Sequence, residues 1–282
     1  MRDASPSRTA LRVAMRRAAH QVVDHPRVFD DPLAMSMIGP ELAARIVSGD
    51  AATQSLPGLR AFLAARSRFA EDQLANAVAS GVRQFVVLGA GLDTFAYRNP
   101  YGNLGMRVFE VDHPATQAWK RDQLASAGIA IPPELTFVAA DFERQTLGDA
   151  LKAANFPAGE STFFSWLGVT PYLSRAAFDQ TMQFIAAMPP KSGVVFDYAI
   201  SSTSLTHIER AASEALARRV ALAGEPFQLS FEREELSAAL REMGFRYLED
   251  LGPEELNARY FADRADGLRL RSGLGRLMIA WL

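Results

Sequence analysis

The chain has 282 residues, 49% of them hydrophobic and 22% charged, enough material for one large α/β domain or two small ones. Its formal net charge of −2 gives no electrostatic case for nucleic acid or a membrane surface. It has no cysteine, which excludes disulfides, thiolate metal sites and a cysteine nucleophile.

Residues 1–19 carry five arginines and no uninterrupted apolar core, so they read as neither a secretory signal nor a membrane span. The expectation is a soluble cytoplasmic protein. Residues 8–23 space apolar residues at helical intervals with arginines between them. Asp30-Asp31-Pro32 looks like a helix start, and residues 33–47 continue that helix to Gly49-Asp50. Residues 54–58 read as a loop, and Leu59 to Ser80 as a long helix capped by Gly81.

From Gln84 the pattern alternates. Strands are predicted at 84–88, 107–111, 135–139, 161–166 and 193–198, with helices at 114–127, 144–154 and 174–188 between them. That rhythm implies right-handed βαβ units and a parallel sheet. The tail adds helices near 203–223 and 232–243, a strand near 245–249, and an apolar run, 276–282, that reads as an edge strand. The expected architecture is a single α/β domain over 1–282. Residues 1–80 form a helical extension and lid, 81–200 a doubly wound Rossmann-like core, and 201–282 complete the sheet and substrate pocket.

The first strand runs into Gly89-Ala90-Gly91, where bare backbone can turn sharply and let a ligand approach. Asp112 ends the second strand about 20 positions on, the distance at which a carboxylate takes up a ribose diol. Asp141 follows the third strand, where it can accept from an adenine amine while Phe142 covers the ring. A dinucleotide fingerprint wants a third glycine, but Thr94 stands there behind Asp93. A carboxylate at that place repels a pyrophosphate and suits a sulfonium with an ammonium group. S-adenosylmethionine is therefore favoured over NAD.

These segments resemble the leucine carboxyl methyltransferase-like family of S-adenosylmethionine-dependent methyltransferases, particularly its bacterial O-methyltransferase branch. The matching stretches are Arg66-Ser67-Arg68-Phe69-Ala70-Glu71-Asp72, Leu88 to Thr94 with Tyr97-Arg98, Phe109 to Pro114, Ala140-Asp141-Phe142, and Trp166 through Pro171-Tyr172-Leu173. The resemblance implies a class I methyltransferase sheet, with S-adenosyl-L-methionine as cofactor, S-adenosyl-L-homocysteine as product and no metal. It implies that Arg66 grips the methionine carboxylate. Gly89, Ala90 and Gly91 would face the methionine part, Asp112 the ribose, and Asp141 with Phe142 the adenine. Ser165 stands where the family often has Glu, so its share in the cofactor site is reduced. Trp166 either packs against cofactor or substrate or belongs to the core, and Tyr172 and Tyr198 either line the acceptor pocket or are ordinary core or rim tyrosines.

The implied reaction is methyl transfer to a carboxylate or hydroxyl of a small organic acceptor, such as a secondary metabolite, catalysed mainly by proximity and alignment. None of the four histidines, His20, His25, His113 and His207, is assigned as a base. An NAD(P)-linked oxidoreductase and a non-catalytic nucleoside-binding protein are the alternatives. No Tyr-x-x-x-Lys pair supports the former, and no Gly-x-Ser-x-Gly elbow supports a hydrolase.

Overall fold

A computed structural model describes residues 7–49, 56–142, 144–222, 226–271 and 273–282. Helices α1 (Arg8–Val23), α2 (Ala34–Met37), α3 (Pro40–Val47) and α4 (Pro57–Ala79) precede the sheet. Then come β1 (Gln84–Leu88), β2 (Arg107–Asp112), α5 (Pro114–Ser126), β3 (Leu135–Ala139), α6 (Leu147–Ala153), β4 (Thr162–Trp166), α7 (Arg175–Ala186) and β5 (Gly193–Ala199). The chain closes with α8 (His207–Leu222), α9 (Arg233–Glu242), β6 (Tyr247–Leu251), α10 (Pro253–Tyr260) and β7 (Gly275–Trp281).

The seven strands lie in the order β3-β2-β1-β4-β5-β7-β6. The chain reverses direction across the sheet between β1 and β4, the switch point at which open α/β sheets bind ligands. The five expected strands are parallel, and β7 runs antiparallel to both β5 and β6. The 276–282 run is therefore not an edge strand: it lies inside the sheet, and β6 is the edge. Leu277, Met278, Ile279 and Ala280 are all fully buried because both faces of β7 are covered.

Strand alternation divides the core. Val86, Leu88, Phe164, Phe196 and Met278 pack on one face against α6, α7 and α9. Phe85, Val87, Phe163, Val195 and Ile279 pack on the other, against α4 and α10. A third cluster joins α1, α2 and α3 to Leu92 and Leu124.

Three helix expectations change. The helix over 33–47 is broken in two, because Gly39 takes φ 80° and Pro40 restarts the chain as an N1 proline. Of the loop over 54–58, residues 54 and 55 lie outside the described residues, while Pro57 and Gly58 already belong to α4. Helix α10 has no counterpart in the sequence reading. Its first turn is capped by Glu255, whose Oε2 accepts from Gly252 N at 2.7 Å.

The N-terminal helices are fastened to α4 by a buried cluster. Arg60 donates from Nε and Nη2 to the two oxygens of Asp24 at 2.7 and 2.8 Å. His20 Nε2 accepts from Val28 N and Phe29 N, so its proton sits on Nδ1, 2.8 Å from Asp24 Oδ2. Burial pushes the Asp24 carboxyl up, but hydrogen bonds from Arg60 and His20 outweigh it and hold the pKa at about 2, below its ordinary 3.8. The cluster therefore stabilises fully above the ordinary value and loses its contribution as pH falls through about 2. Asp24→Ala, which removes the carboxylate shared by Arg60 and His20, is expected to cost about 3–5 kcal/mol in denaturant titrations at neutral pH. The difference from wild type should shrink in titrations repeated below the ordinary carboxylate range.

Candidate functional site

The turn after β1 is built from both glycines and from β2. Gly89 and Gly91 take φ of 65° and 47°, in the left-handed region. Gly89 N and Ala90 N donate to Val111 O at 2.8 and 3.1 Å, which holds the turn beside the end of β2. Asp112 Oδ2 accepts from Gly91 N at 2.5 Å and Oδ1 from His113 N at 2.6 Å. The carboxylate is thus fixed in orientation with lone pairs to spare for two hydroxyl donors. Burial raises its pKa, against the lowering by those two N–H groups.

The register pairs Leu88 with Val111 and Asp112 with Ala139, so the turn, Asp112 and the Ala140-Asp141-Phe142 segment lie side by side. They open on a cavity of about 290 Å³. Gly89, Ala90, Gly91, Asp112, Asp141, Phe142 and Ser165 line it, as do Arg66 from α4 and Tyr172 from the loop after β4. Thr9, Ala10, Val13, Ala14 and Arg17 of α1 contribute a further wall, with Pro226 and Gln228 beside Tyr172. In the expected lid it is α1 that reaches the cavity, while α2 and α3 pack beneath it.

The bare faces of the glycines have another use. A Cβ on Gly89 would stand 2.2 Å from Val169 Cγ2, and one on Gly91 would stand 3.2 Å from Ala10 Cβ. These glycines let the loop after β4 and α1 close against the turn.

Trp166 and Tyr198, candidates for either the pocket or the core, do not line the cavity. Both are buried in the core on the α7 side of the sheet. Ser165 faces the cavity, so the next residue along β4 turns to the opposite face. There the Trp166 ring stacks on Phe178 at 5.4 Å.

Three residues without an assigned role in the sequence reading prove central. Arg17 is buried and bridges three groups. It pairs with Asp31, donates from Nη2 to Thr94 Oγ1 at 2.9 Å, and lies 3.4 Å from Asp93 Oδ2. Thr94 Oγ1 donates to Asp31 at 2.8 Å and accepts from Arg98 Nε at 3.1 Å. Arg98 in turn grips Glu71 of α4. The threonine at the third-glycine position is a polar junction, and Asp93 is partly neutralised by Arg17 rather than facing the cavity alone. Arg66 is buried as well and donates from Nη1 to Asp197 Oδ2 at 2.6 Å, with Gly168 close against it. A charged residue inside the apolar Val194 to Tyr198 strand is the signal that could have found Asp197; one arginine among those of α1 carries no such mark.

The histidines are occupied. His113 caps α5, its Nδ1 accepting from Ala115 N at 3.3 Å, and His20 serves the Asp24 cluster. His25 and His207 are exposed and do not line the cavity. Among the described residues no group of three metal-ligating side chains comes together, and no helix is long and apolar enough to cross a membrane.

The chain matches the family model described as "Leucine carboxyl methyltransferase" over residues 10–186. It is 33% identical over 295 aligned positions to "Putative S-adenosyl-L-methionine-dependent methyltransferase YktD" of Bacillus subtilis, covering 95% of each chain. It is 32% identical to a Mycobacterium sp. (strain JLS) protein named "Putative S-adenosyl-L-methionine-dependent methyltransferase", covering 84% of this chain and 81% of that one. Among solved structures, a Thermobifida fusca protein described as a methyltransferase shares the fold, with TM-score 0.61, 19% identity, and 98% and 95% coverage. The cavity suits the cofactor those names give: a carboxylate with both oxygens oriented, a glycine turn, and carboxylates beside a cationic ligand. Arg17→Ala, which takes the cation from Asp93 and leaves Asp31 only Arg98 at 3.6 Å, is expected to destabilise by about 3 kcal/mol. Amide hydrogen exchange should speed up selectively in α1.

Proposed function

The chain belongs to the leucine carboxyl methyltransferase family of S-adenosyl-L-methionine-dependent methyltransferases, and from that premise we propose that it methylates an oxygen of a small organic acceptor, a carboxylate ahead of a hydroxyl. Its dependence on S-adenosylmethionine displaces the nicotinamide oxidoreductase reading. In the proposed arrangement the methionine end lies along Gly89 to Gly91 with its carboxylate at Arg66. The ribose hydroxyls donate to Asp112, and the adenine lies between Asp141 and Phe142, with Ser165 beside the turn.

The observation that supports a small acceptor is the apolar wall beside the glycine turn. Ala10, Val13 and Ala14 of α1, Leu167 and Val169 after β4, and Pro226 wall the space next to the glycine turn. An apolar wall of small and branched side chains is the lining that suits a compact organic molecule.

The bound cofactor supplies a methyl group on a sulfonium, which an oxygen nucleophile takes by in-line displacement. The apolar wall excludes water and fixes the line of approach. A carboxylate acceptor is anionic at neutral pH and needs no proton removed. A hydroxyl acceptor does, and the histidine that borders the cavity is unsuited to take it. His113 commits the Nδ1 lone pair to Ala115 N, so its neutral ring carries the proton on Nε2. That favours the carboxylate.

An acceptor panel incubated with labelled S-adenosylmethionine tests the proposal. The expected product carries an alkali-labile methyl that is released as methanol, as an ester does. An alkali-stable methyl would shift the reading to a hydroxyl. Label appearing only in protein would overturn the small acceptor, and binding without turnover on any acceptor would favour a non-catalytic nucleoside-binding protein. Asp112→Ala is expected to weaken S-adenosylhomocysteine binding by about 10- to 100-fold in calorimetry, the range of a lost hydrogen-bond pair to a charged group.

A further inference from the structure

The Arg66 guanidinium is held by Asp197 and lies close against Gly168. Its Nη1 donates to Asp197 Oδ2 at 2.6 Å, and both residues are 6% exposed. Beside it, Gly168 presents a bare Cα at φ 74°; a Cβ there would stand 2.9 Å from Nη2 and 3.1 Å from Nη1. The second oxygen of the same carboxylate, Asp197 Oδ1, accepts from Gly168 N at 2.5 Å. The Asp197 carbonyl accepts from Thr170 Oγ1, also at 2.5 Å. One residue near the end of β5 therefore sets the position of the guanidinium and of the cavity-lining loop after β4 together. Asp197 itself lies behind the wall, while Arg66 and Gly168 line it.

We propose that Asp197 is a positioning residue for cofactor binding. It anchors one nitrogen of Arg66 so that the rest of the guanidinium faces the carboxylate of the donor's methionine moiety. This rests on the reading that Arg66 meets that carboxylate. Among the described residues Asp197 is the guanidinium's one hydrogen-bond acceptor, so Nε and Nη2 keep their hydrogens for a ligand. Guanidinium donors radiate in a rigid plane, and anchoring one nitrogen directs the others. A group held in advance loses less freedom when the ligand arrives. The bare Cα of Gly168 completes the device, because any side chain there would push the plane aside. The link from Asp197 to Gly168 also ties the aim of Arg66 to the loop that borders the acceptor space.

The test compares two ligands by calorimetry: S-adenosylhomocysteine, which has the amino-acid carboxylate, and 5′-methylthioadenosine, which shares the nucleoside and thioether but lacks it. Asp197→Asn keeps the shape and an oxygen for Gly168 N, and removes the charge that anchors Arg66. It is expected to weaken S-adenosylhomocysteine about tenfold, the scale of a charge-assisted contact. The 5′-methylthioadenosine constant should stay within about twofold. In an Arg66→Ala background the Asp197→Asn change should add nothing, because it acts through Arg66. Equal weakening of both ligands, or an unchanged S-adenosylhomocysteine constant, overturns the proposal. If Arg66→Ala itself treats the two ligands alike, the Arg66 reading fails, and this proposal falls with it by a separate route. Should Asp197→Asn not fold, Gly168→Ala crowds the same guanidinium directly. The same ligand-selective loss is expected of it, and its absence overturns the proposal.

Discussion

Arg17 sits where the N-terminal helices meet the ligand-binding end of the sheet, and the cavity owes its α1 wall to that meeting. Its guanidinium is buried among Asp31, Thr94 and Asp93, from two separate parts of the chain. Burial disfavours the Arg17 charge, and the two carboxylates more than restore it. Buried charges are stable only while paired, so α1 cannot leave the turn after β1 without exposing or stranding all three partners. The same junction reaches α4 through Arg98 and Glu71. Helix α1 is thereby held over the carboxyl ends of the strands, with Ala10 seated against Gly91.

The glycine turn makes sense in that setting. Close approach of backbone is the property that Gly89 and Gly91 provide, and two protein elements use it. Val169 occupies the side-chain space of one glycine and Ala10 that of the other. The walls of the cavity are consequently tight against its floor, and the polar groups that remain are oriented rather than free. Asp112 is set by two backbone N–H groups and Arg66 by Asp197. Orientation in advance is what a reaction governed by alignment requires, since the chemistry itself demands little of the protein beyond geometry and exclusion of water.

Much of this was legible in one dimension. Runs such as Phe85-Val86-Val87-Leu88 and Phe163-Phe164 are apolar on both faces, as buried parallel strands must be. Ser174 and Gly81 mark helix ends by local hydrogen-bonding and φ preferences that need no tertiary partner. Strand-end residues follow from connectivity, and so Gly89, Asp112 and Asp141 could be placed at one rim before any coordinates. Trp166 and Tyr198 could not be placed. A one-residue step along a strand reverses the face, and an aromatic ring is equally at home in a core and beside a ligand. The place of β7 was equally hidden, because a continuous apolar run does not disclose which neighbours cover it.

The sequence by itself determined the alternating architecture, the switch-point rim and the kind of ligand that rim accepts, because these depend on local pattern and on chain order. The tertiary structure alone decided which charges pair. Arg17 with Asp31 and Asp93, Arg60 with Asp24, and Arg66 with Asp197 join positions as far as 131 residues apart. Nothing local distinguishes those arginines from solvated ones. A charge becomes part of a site only when folding removes its water and supplies a partner, and that exchange is made in space rather than along the chain.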